Sequence, residues 1–172
     1  LQARLGVTQP VTLDVNVLVG AVVEGNSAFW SWPSPPPLSA FPASDCVGIL
    51  NDGQEFALWM SPHVLRNVLR VLTDAGGYAW TANRAEEYAK ALVEIVETSG
   101  GHVIEPGVHV SDCFDYEDNR ILELALASSS VLIVSSDAHL LDMSPWRGIP
   151  IVRPREFASR VDAMRRAKRR QN

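Results

Sequence analysis

The first apolar segment of the chain is VTLDVNVLV at residues 11–19, which is interrupted only by Asp14 and Asn16. β-Branched residues dominate it, and a nearly continuous apolar run of this kind is typical of a strand that is buried on both faces of a parallel sheet. We therefore predict a central parallel strand over this segment, with Asp14 inside it.

Shorter apolar segments predict the other strands of the same sheet. They are bounded by turn-forming or polar residues and are too short for independent helices. These segments are ALWMS (57–61), HVIEP (102–106), VLIVSSD (131–137) and IPIVRP (149–154).

Helical spacing of apolar residues separates the strands. Ser61-Pro62 is a typical helix start, and the apolar pattern after it runs towards Gly76-Gly77. A longer helix is predicted over 83–99, with Asn83 and Glu86 as a capping box and Gly100 after its end. RILELALASS and AHLLDM, on either side of VLIVSSD, predict two more helices.

Strands that alternate with helices indicate parallel pairing with helices on both faces of the sheet. The sequence thus predicts an α/β protein, a three-layer α/β/α sandwich with a central, mainly parallel sheet. The length of 172 residues and the apolar fraction of 47% suit one globular domain, which we place at residues 1–156.

A proline-rich insertion interrupts the domain at about residues 29–44. It holds five prolines within 33–42, together with Phe29, Trp30 and Trp32. Proline removes strand hydrogen bonds, so we predict an irregular surface segment, and its aromatic residues indicate that it packs on the body.

Composition excludes several classes of protein. No apolar run reaches the roughly 18 residues of a membrane span, and the start of the chain lacks the order of a secretory signal, so we expect a cytoplasmic protein without a membrane partner. Cys46 and Cys113 lie far apart without a CxxC pair, which favours neither a zinc ribbon nor a disulfide scaffold.

The net charge of −5 is unevenly distributed. Residues 160–170 carry +5, so the remainder of the chain carries −10. An acidic body suits a site that concentrates carboxylates around a metal ion better than a surface that binds nucleic acid by charge alone.

The basic helix or tail at 157–172 permits two interpretations. The favoured one is a solvated helix that docks Phe157, Val161 and Met164 on the body. The other is contact with the RNA backbone. The basic residues that would make this contact are Arg165, Arg166, Lys168 and Arg169.

Carboxylates occur where reactive groups collect in an open parallel sheet, beyond the carboxyl ends of the strands. Asp14 belongs to the first strand, Asp137 ends VLIVSSD, and Asp115, Glu117 and Asp118 precede the helix that leads to that strand. Oxygen ligands without a His or Cys pattern favour Mg²⁺ or Mn²⁺, and such a site supports metal-assisted hydrolysis of phosphodiesters.

Each acid also has a purely structural alternative. Asp14 would need a salt bridge to a buried arginine, because an unpaired charge inside an apolar strand is costly. Asp118 would be a helix N-cap, and Asp137 would cap AHLLDM. His139 follows Asp137 by two residues, and we expect it to face the same site.

Three ordered motifs between Val11 and about Glu156 resemble the PIN-domain family, and in particular the branch of toxin components of toxin–antitoxin pairs. They are LDVNVLV around Asp14, DYEDNRILELALAS around Asp118 and VLIVSSDAHLL around Asp137. The resemblance implies a compact α/β/α sandwich and Mg²⁺- or Mn²⁺-dependent endoribonuclease activity. It also implies homodimers and inhibition by a cognate antitoxin protein.

By the same resemblance, Asp14, Asp118 and Asp137 match the catalytic, metal-binding acids of the family, and Asp115 matches a frequent extra acid. Asn16 and Ser135 match the small polar residues that orient those acids. We name Asn119 and Asn67 as further supporting residues.

The chain departs from the family at Asn67, where a glutamate normally completes the acidic quartet. We therefore expect weak metal binding and low turnover, unless Asn67 merely borders the core. The insertion is a second departure, since it could cover the substrate groove.

Three functions are compatible with the residues. The first is an active ribonuclease toxin, and the second is a degenerate PIN module that binds RNA or a protein partner without cutting. The third is an acid-cluster phosphotransferase, which ranks last because the chain offers no lysine between Leu1 and Tyr88.

Overall fold

The computed structural model describes residues 6–24, 32–36 and 38–172. Its centre is a sheet of four parallel strands in the order β2-β1-β3-β4, flanked by helices. The predicted α/β class with a parallel central sheet is therefore confirmed. The strands are β1 (Gln9–Leu13), β2 (Phe56–Leu58), β3 (Leu132–Val134) and β4 (Ile151–Val152).

Helices occupy most of the remaining described chain. The helices are α1 (Val15–Val23), α2 (Pro42–Asp52), α3 (Pro62–Thr73), α4 (Ala82–Ser99), α5 (Tyr116–Ala127), α6 (Ala138–Asp142) and α7 (Pro154–Gln171).

The prediction of one strand over 11–19 is wrong in its second half. β1 ends at Leu13, and Val15 already begins α1, whose residues 17–22 are all buried. A uniformly apolar run fits a buried helix as well as a buried strand, so its pattern could not locate the change. Asp14 consequently lies at the N-cap of α1, not inside a strand.

The predicted strand HVIEP is reduced to one isolated parallel bridge between Met60 and Val103. The Met60 N–H donates to the His102 carbonyl, and the Ile104 N–H donates to the Met60 carbonyl. Pro106 has no N–H to donate, which disfavours a continued ladder in this segment.

Helix ends follow the expected chemistry with one error. Ser61 caps α3, because its Oγ accepts from the Val64 N–H at 3.2 Å, and Gly100 has a left-handed φ of 89° at the end of α4. The predicted capping box at Asn83 is wrong, since Thr81 caps α4 by accepting from the Arg84 N–H.

The end of the proline-rich insertion belongs to a helix that the sequence analysis missed. Pro42 is the first residue of α2, and Asp45 in its first turn accepts hydrogen bonds from the Ser39 N–H and hydroxyl. Trp32 packs on the core, whereas the predicted packing of Phe29 and Trp30 lies outside the described residues.

The C-terminal helix docks on the body through one apolar stripe, as predicted. Phe157 and Val161 are buried, and Met164 is partly buried against the same core. Its first residue is Pro154, three positions before the segment proposed from the sequence. Among the described residues, no helix is long and apolar enough to cross a membrane.

Candidate active site

Asp14 and Asp137 follow the carboxyl ends of the parallel strands β1 and β3. β1 and β3 are neighbours, with Leu13 opposite Val134, so Asp14 and Ser135 leave the sheet side by side. The Asp14 N–H donates to the Val134 carbonyl at 2.9 Å. Asp137 follows at the N-cap of α6.

Ser135 connects two of these acids. Its hydroxyl donates to Asp14 Oδ2 at 2.6 Å and accepts from the Asp137 N–H at 3.0 Å, and the residue is fully buried. A buried hydroxyl with both bonds made has one orientation, so Ser135 sets the relative position of Asp14 and the start of α6.

Electrostatics bring Asp118 into the same group. The negative charges of Asp118 and Asp137 both raise the pKa of Asp14, and the charges of Asp137 and Asp115 raise the pKa of Asp118. Such effects between carboxylates require proximity. Asp14, Asp118 and Asp137 therefore lie near one another, and Asp115 lies near Asp118.

Asp14 carries the largest perturbation in this group. Burial is the largest cause and raises the pKa of Asp14 to about 6, although the Ser135 hydrogen bond, the next largest effect, lowers it; the charges of Asp118 and Asp137 raise it further, and the Val15 N–H lowers it. Among the described residues no basic side chain forms an ion pair with Asp14, so the structural alternative of a salt bridge has no support in this part of the chain. The ionised form of Asp14 therefore has hydrogen-bond donors, the Ser135 hydroxyl and the Val15 N–H, but no cationic partner among the described residues.

Asp118 lies in the first turn of α5 and is only partly buried. Its pKa is raised by burial and by the nearby acids, while the Cys113 thiol, which donates to Asp118 Oδ2 at 3.4 Å, and the charge of His139 lower it. The effect of His139 on Asp118 agrees with the expectation that His139 faces the site.

Asp115 and Asp137 each use one carboxylate oxygen to cap a helix. Asp115, not Asp118, is the N-cap of α5, since its Oδ1 accepts from the Glu117 and Asp118 N–H groups. Asp137 Oδ1 caps α6 by accepting from the His139 and Leu140 N–H groups, which confirms the capping interpretation of Asp137. Within the described residues the second oxygen of each carboxylate makes no hydrogen bond, so capping leaves an oxygen for a ligand.

Two asparagines support this arrangement from outside it. Asn16 Oδ1 accepts from the Ser136 N–H at 3.4 Å, which ties α1 to the segment before Asp137. Asn119 accepts from the Cys113 N–H and donates to the Cys113 carbonyl, which fixes the loop that leads to Asp115.

Asn67 is buried on α3 and belongs to a different cluster. Its Nδ2 donates to Glu117 Oε2 at 3.0 Å, and its Oδ1 accepts from Arg70 Nε and Nη2 at 3.0 and 2.7 Å. His63 Nε2 contacts the same Glu117 oxygen at 2.7 Å. The sequence analysis missed this cluster, although the spacing of His63, Asn67 and Arg70 places them on one helix face.

The basic end of α7 lies at the opposite edge of the sheet. Arg165 has a side chain only 14% exposed and pairs with Asp52 at 3.0 Å and Glu55 at 2.6 Å, just before β2. Arg166 pairs with Asp162, whereas Lys168 and Arg169 are exposed and have no bonded partner in the described chain. All four strands are parallel, so residues that precede β2 and acids that follow β1 and β3 lie at opposite ends of the strands. This end of α7 is therefore remote from the acids, and Arg165 holds the helix on the body.

The donor set fits a hard divalent cation. Its ligand atoms are carboxylate oxygens, and a cation would relieve the repulsion that raises the pKa values of Asp14 and Asp118. No three His, Cys, Asp or Glu side chains of the described residues already lie close enough to enclose an ion. Water would therefore have to complete the coordination shell, as is common for Mg²⁺.

One protein family matches most of the chain. The sequence model of a family described as PIN domain matches residues 10–139, a span that contains Asp14, Asp118 and Asp137. A search of curated proteins found no significant match.

Proposed function

The chain belongs to the PIN-domain family, and from this membership we propose that it is a Mg²⁺- or Mn²⁺-dependent endoribonuclease, the toxin component of a type II toxin–antitoxin pair. PIN domains are generally nucleases, which supports a nuclease role. The observation that carries the proposal is Asp14, a buried carboxylate with no ion-pair partner among the described residues and with two further acids beside it.

Asp14, Asp118 and Asp137 would hold the ion, with Asp115 as an additional ligand. A bound divalent ion would lower the pKa of a water molecule and neutralise charge that develops on the phosphate.

The chain's own contribution is the rigid placement of these acids. Ser135 holds Asp14 and the start of α6 together, Asn16 restrains Ser136, and Asp137 is fixed by its capping bonds. Small displacements of reacting groups cost large factors in rate, so these hydrogen bonds support catalysis without contact with the substrate.

The direct test is cleavage of single-stranded RNA by the purified protein. We expect no cleavage in EDTA and restoration by Mg²⁺ or Mn²⁺ but not by Ca²⁺ alone. Expression in a host cell should arrest growth, and Asp14→Asn should abolish the arrest. Cleavage that persists in EDTA, or that survives Asp14→Asn, would refute the proposal.

Our proposals for the partners and the cellular location rest on the family resemblance alone. We propose a cognate antitoxin, a homodimer and a cytoplasmic location. Co-expression with the product of a small adjacent reading frame should restore growth, and light scattering should give twice the mass of one chain. Failure of neutralisation would remove the toxin role and leave the nuclease proposal to its own test.

A second candidate function is a degenerate PIN module that binds RNA or protein without cutting. The observation that favours it is Asn67, which lacks the family's carboxylate and has both ends of its amide engaged by Glu117 and Arg70. This alternative predicts RNA binding that is equal in EDTA and Mg²⁺, with no cleavage in either.

A further inference from the structure

A cavity of about 200 Å³ is lined in part by Asn16 and Ser136, which are close in sequence to Asp14 and Asp137. The other chemically active residues of its wall are Arg153, Arg155 and Glu24. We call it the Arg153 pocket.

Strand pairing explains why two arginines reach this edge of an acidic protein. Val134 of β3 is opposite Val152 of β4, and the Ser135 N–H donates to the Val152 carbonyl. Arg153 therefore leaves the sheet next to Ser135, at the spacing of neighbouring strands, about 4.8 Å. Arg155 follows in the first turn of α7.

The two arginines differ in their freedom. Arg155 donates to the Ser39 carbonyl at 2.7 Å and lies 3.9 Å from Asp45 Oδ2, so part of its guanidinium is already used. Arg153 is exposed, and its guanidinium has no hydrogen-bonded or ion-pair partner in the part of the chain that the structure describes; only its backbone carbonyl is engaged, by the Phe157 N–H. Its five donors are available to a ligand.

Arg153 is the group of this pocket that suits an anion. The pocket is lined by two guanidinium groups and the exposed carboxylate of Glu24, and Asp45 offsets the charge of Arg155, so Arg153 is the cation that no carboxylate of the described residues engages. Guanidinium binds phosphate through paired hydrogen bonds, which makes arginine well suited to a nucleic-acid backbone. Glu24 offers an acceptor for a ribose hydroxyl.

We infer that the Arg153 pocket binds an RNA backbone phosphate adjacent to the one that is cleaved, with Arg153 as the principal contact. The inference rests on the proposed nuclease function, because it takes the acids as the place of cleavage. Phosphate held beside Ser135 would align the chain across the carboxylates, where repulsion would otherwise keep it away.

RNA binding without cleavage tests the pocket separately from catalysis. Fluorescence anisotropy of a labelled single-stranded RNA in EDTA would be measured across a salt series for wild type, Arg153→Ala and Arg153→Lys. Arg160→Ala is the matched control, because Arg160 is exposed on the same helix and pairs with Glu156.

We expect Arg153→Ala to weaken binding about tenfold and to reduce the slope of log affinity against log salt by about 0.7, the value for one phosphate contact on a single strand. Arg153→Lys should retain the slope but lose part of the affinity, because lysine keeps the charge without the paired donors. Arg160→Ala should bind as wild type does.

Equal binding by Arg153→Ala and Arg160→Ala would overturn the pocket, even if wild type cleaves RNA. Arg153-dependent binding by a protein that never cleaves with any divalent metal would support the pocket and refute the nuclease proposal. If the wild-type protein does not bind RNA, the proposal that the Arg153 pocket binds a backbone phosphate is wrong.

Discussion

Asp14 and Glu117 both lie at the start of a helix, yet their surroundings differ. Glu117 contacts His63 and receives a hydrogen bond from Asn67, so the protein supplies its partners. Asp14 accepts a hydrogen bond from the Ser135 hydroxyl and is repelled by the negative charges of Asp118 and Asp137. The difference shows where the described chain satisfies its own carboxylates and where it leaves charge for a ligand to neutralise.

The strongest way to break this comparison is to remove the charge of Asp14. Asp14→Asn should lower kcat for RNA cleavage by on the order of 1,000-fold, because the most buried ligand loses its charge. Glu87→Gln on the exposed face of α4 is the control and should cleave as wild type does. Retention of more than a tenth of wild-type kcat by Asp14→Asn would contradict the assignment.

Asp14→Asn should lower catalytic activity but raise the stability of the fold at neutral pH. The pKa of Asp14 is about 6 in the fold, above its ordinary value of 3.8, so the native state binds the extra proton. The contribution of this proton to the free energy of unfolding is fully present below about pH 4. It is lost as the pH rises through 6, a change of up to about 3 kcal/mol.

Asp14→Asn should therefore be more stable than wild type in metal-free buffer at pH 7.5 and similar to it at pH 4. Urea unfolding at both pH values measures this difference, and Mg²⁺ should raise the stability of wild type more than that of the variant. A variant that is less stable at pH 7.5 would show that the Asp14 charge is compensated after all.

Conversion of Asn67 to an acid would sharpen the contrast between the two clusters. Asn67→Glu should raise Mg²⁺ affinity about tenfold, because by the family resemblance a carboxylate at this position completes the acidic quartet with Asp14, Asp118 and Asp137. Isothermal titration with Mn²⁺ and cleavage assays measure the effect, with Asn67→Gln as the neutral control. No gain in either measurement would mean that this position does not serve the metal site.

The smallest effect is expected from the basic end of α7. Replacement of Arg166, Lys168 and Arg169 together by alanine should change RNA affinity less than threefold, because these residues lie at the edge opposite the acids. Arg165 is left intact since it holds the helix on the body. A salt slope reduced by 2 or more, on the scale of about 0.7 per phosphate contact, would restore the tail as an RNA-binding element.

Local sequence patterns predicted much of the fold. Buried runs marked the strands near Val11, Leu132 and Ile151, and Ser61-Pro62 marked the start of α3, because caps and apolar spacing act over a few residues. The boundary at Asp14 and the whole of α2 escaped prediction. An apolar run does not distinguish a buried helix from a buried strand, and prolines obscured the helix that begins at Pro42.

The sequence by itself determined the family and the order of the acidic motifs, because these depend on residue types and their spacing. Only the tertiary structure decided how Ser135 joins Asp14 across 121 positions, and that Arg165 is engaged by Asp52 and Glu55. It likewise placed Arg153 beside the acids. Such contacts depend on the pairing of β3 with β1 and β4, and strand pairing joins segments whose separation along the chain carries no local signal.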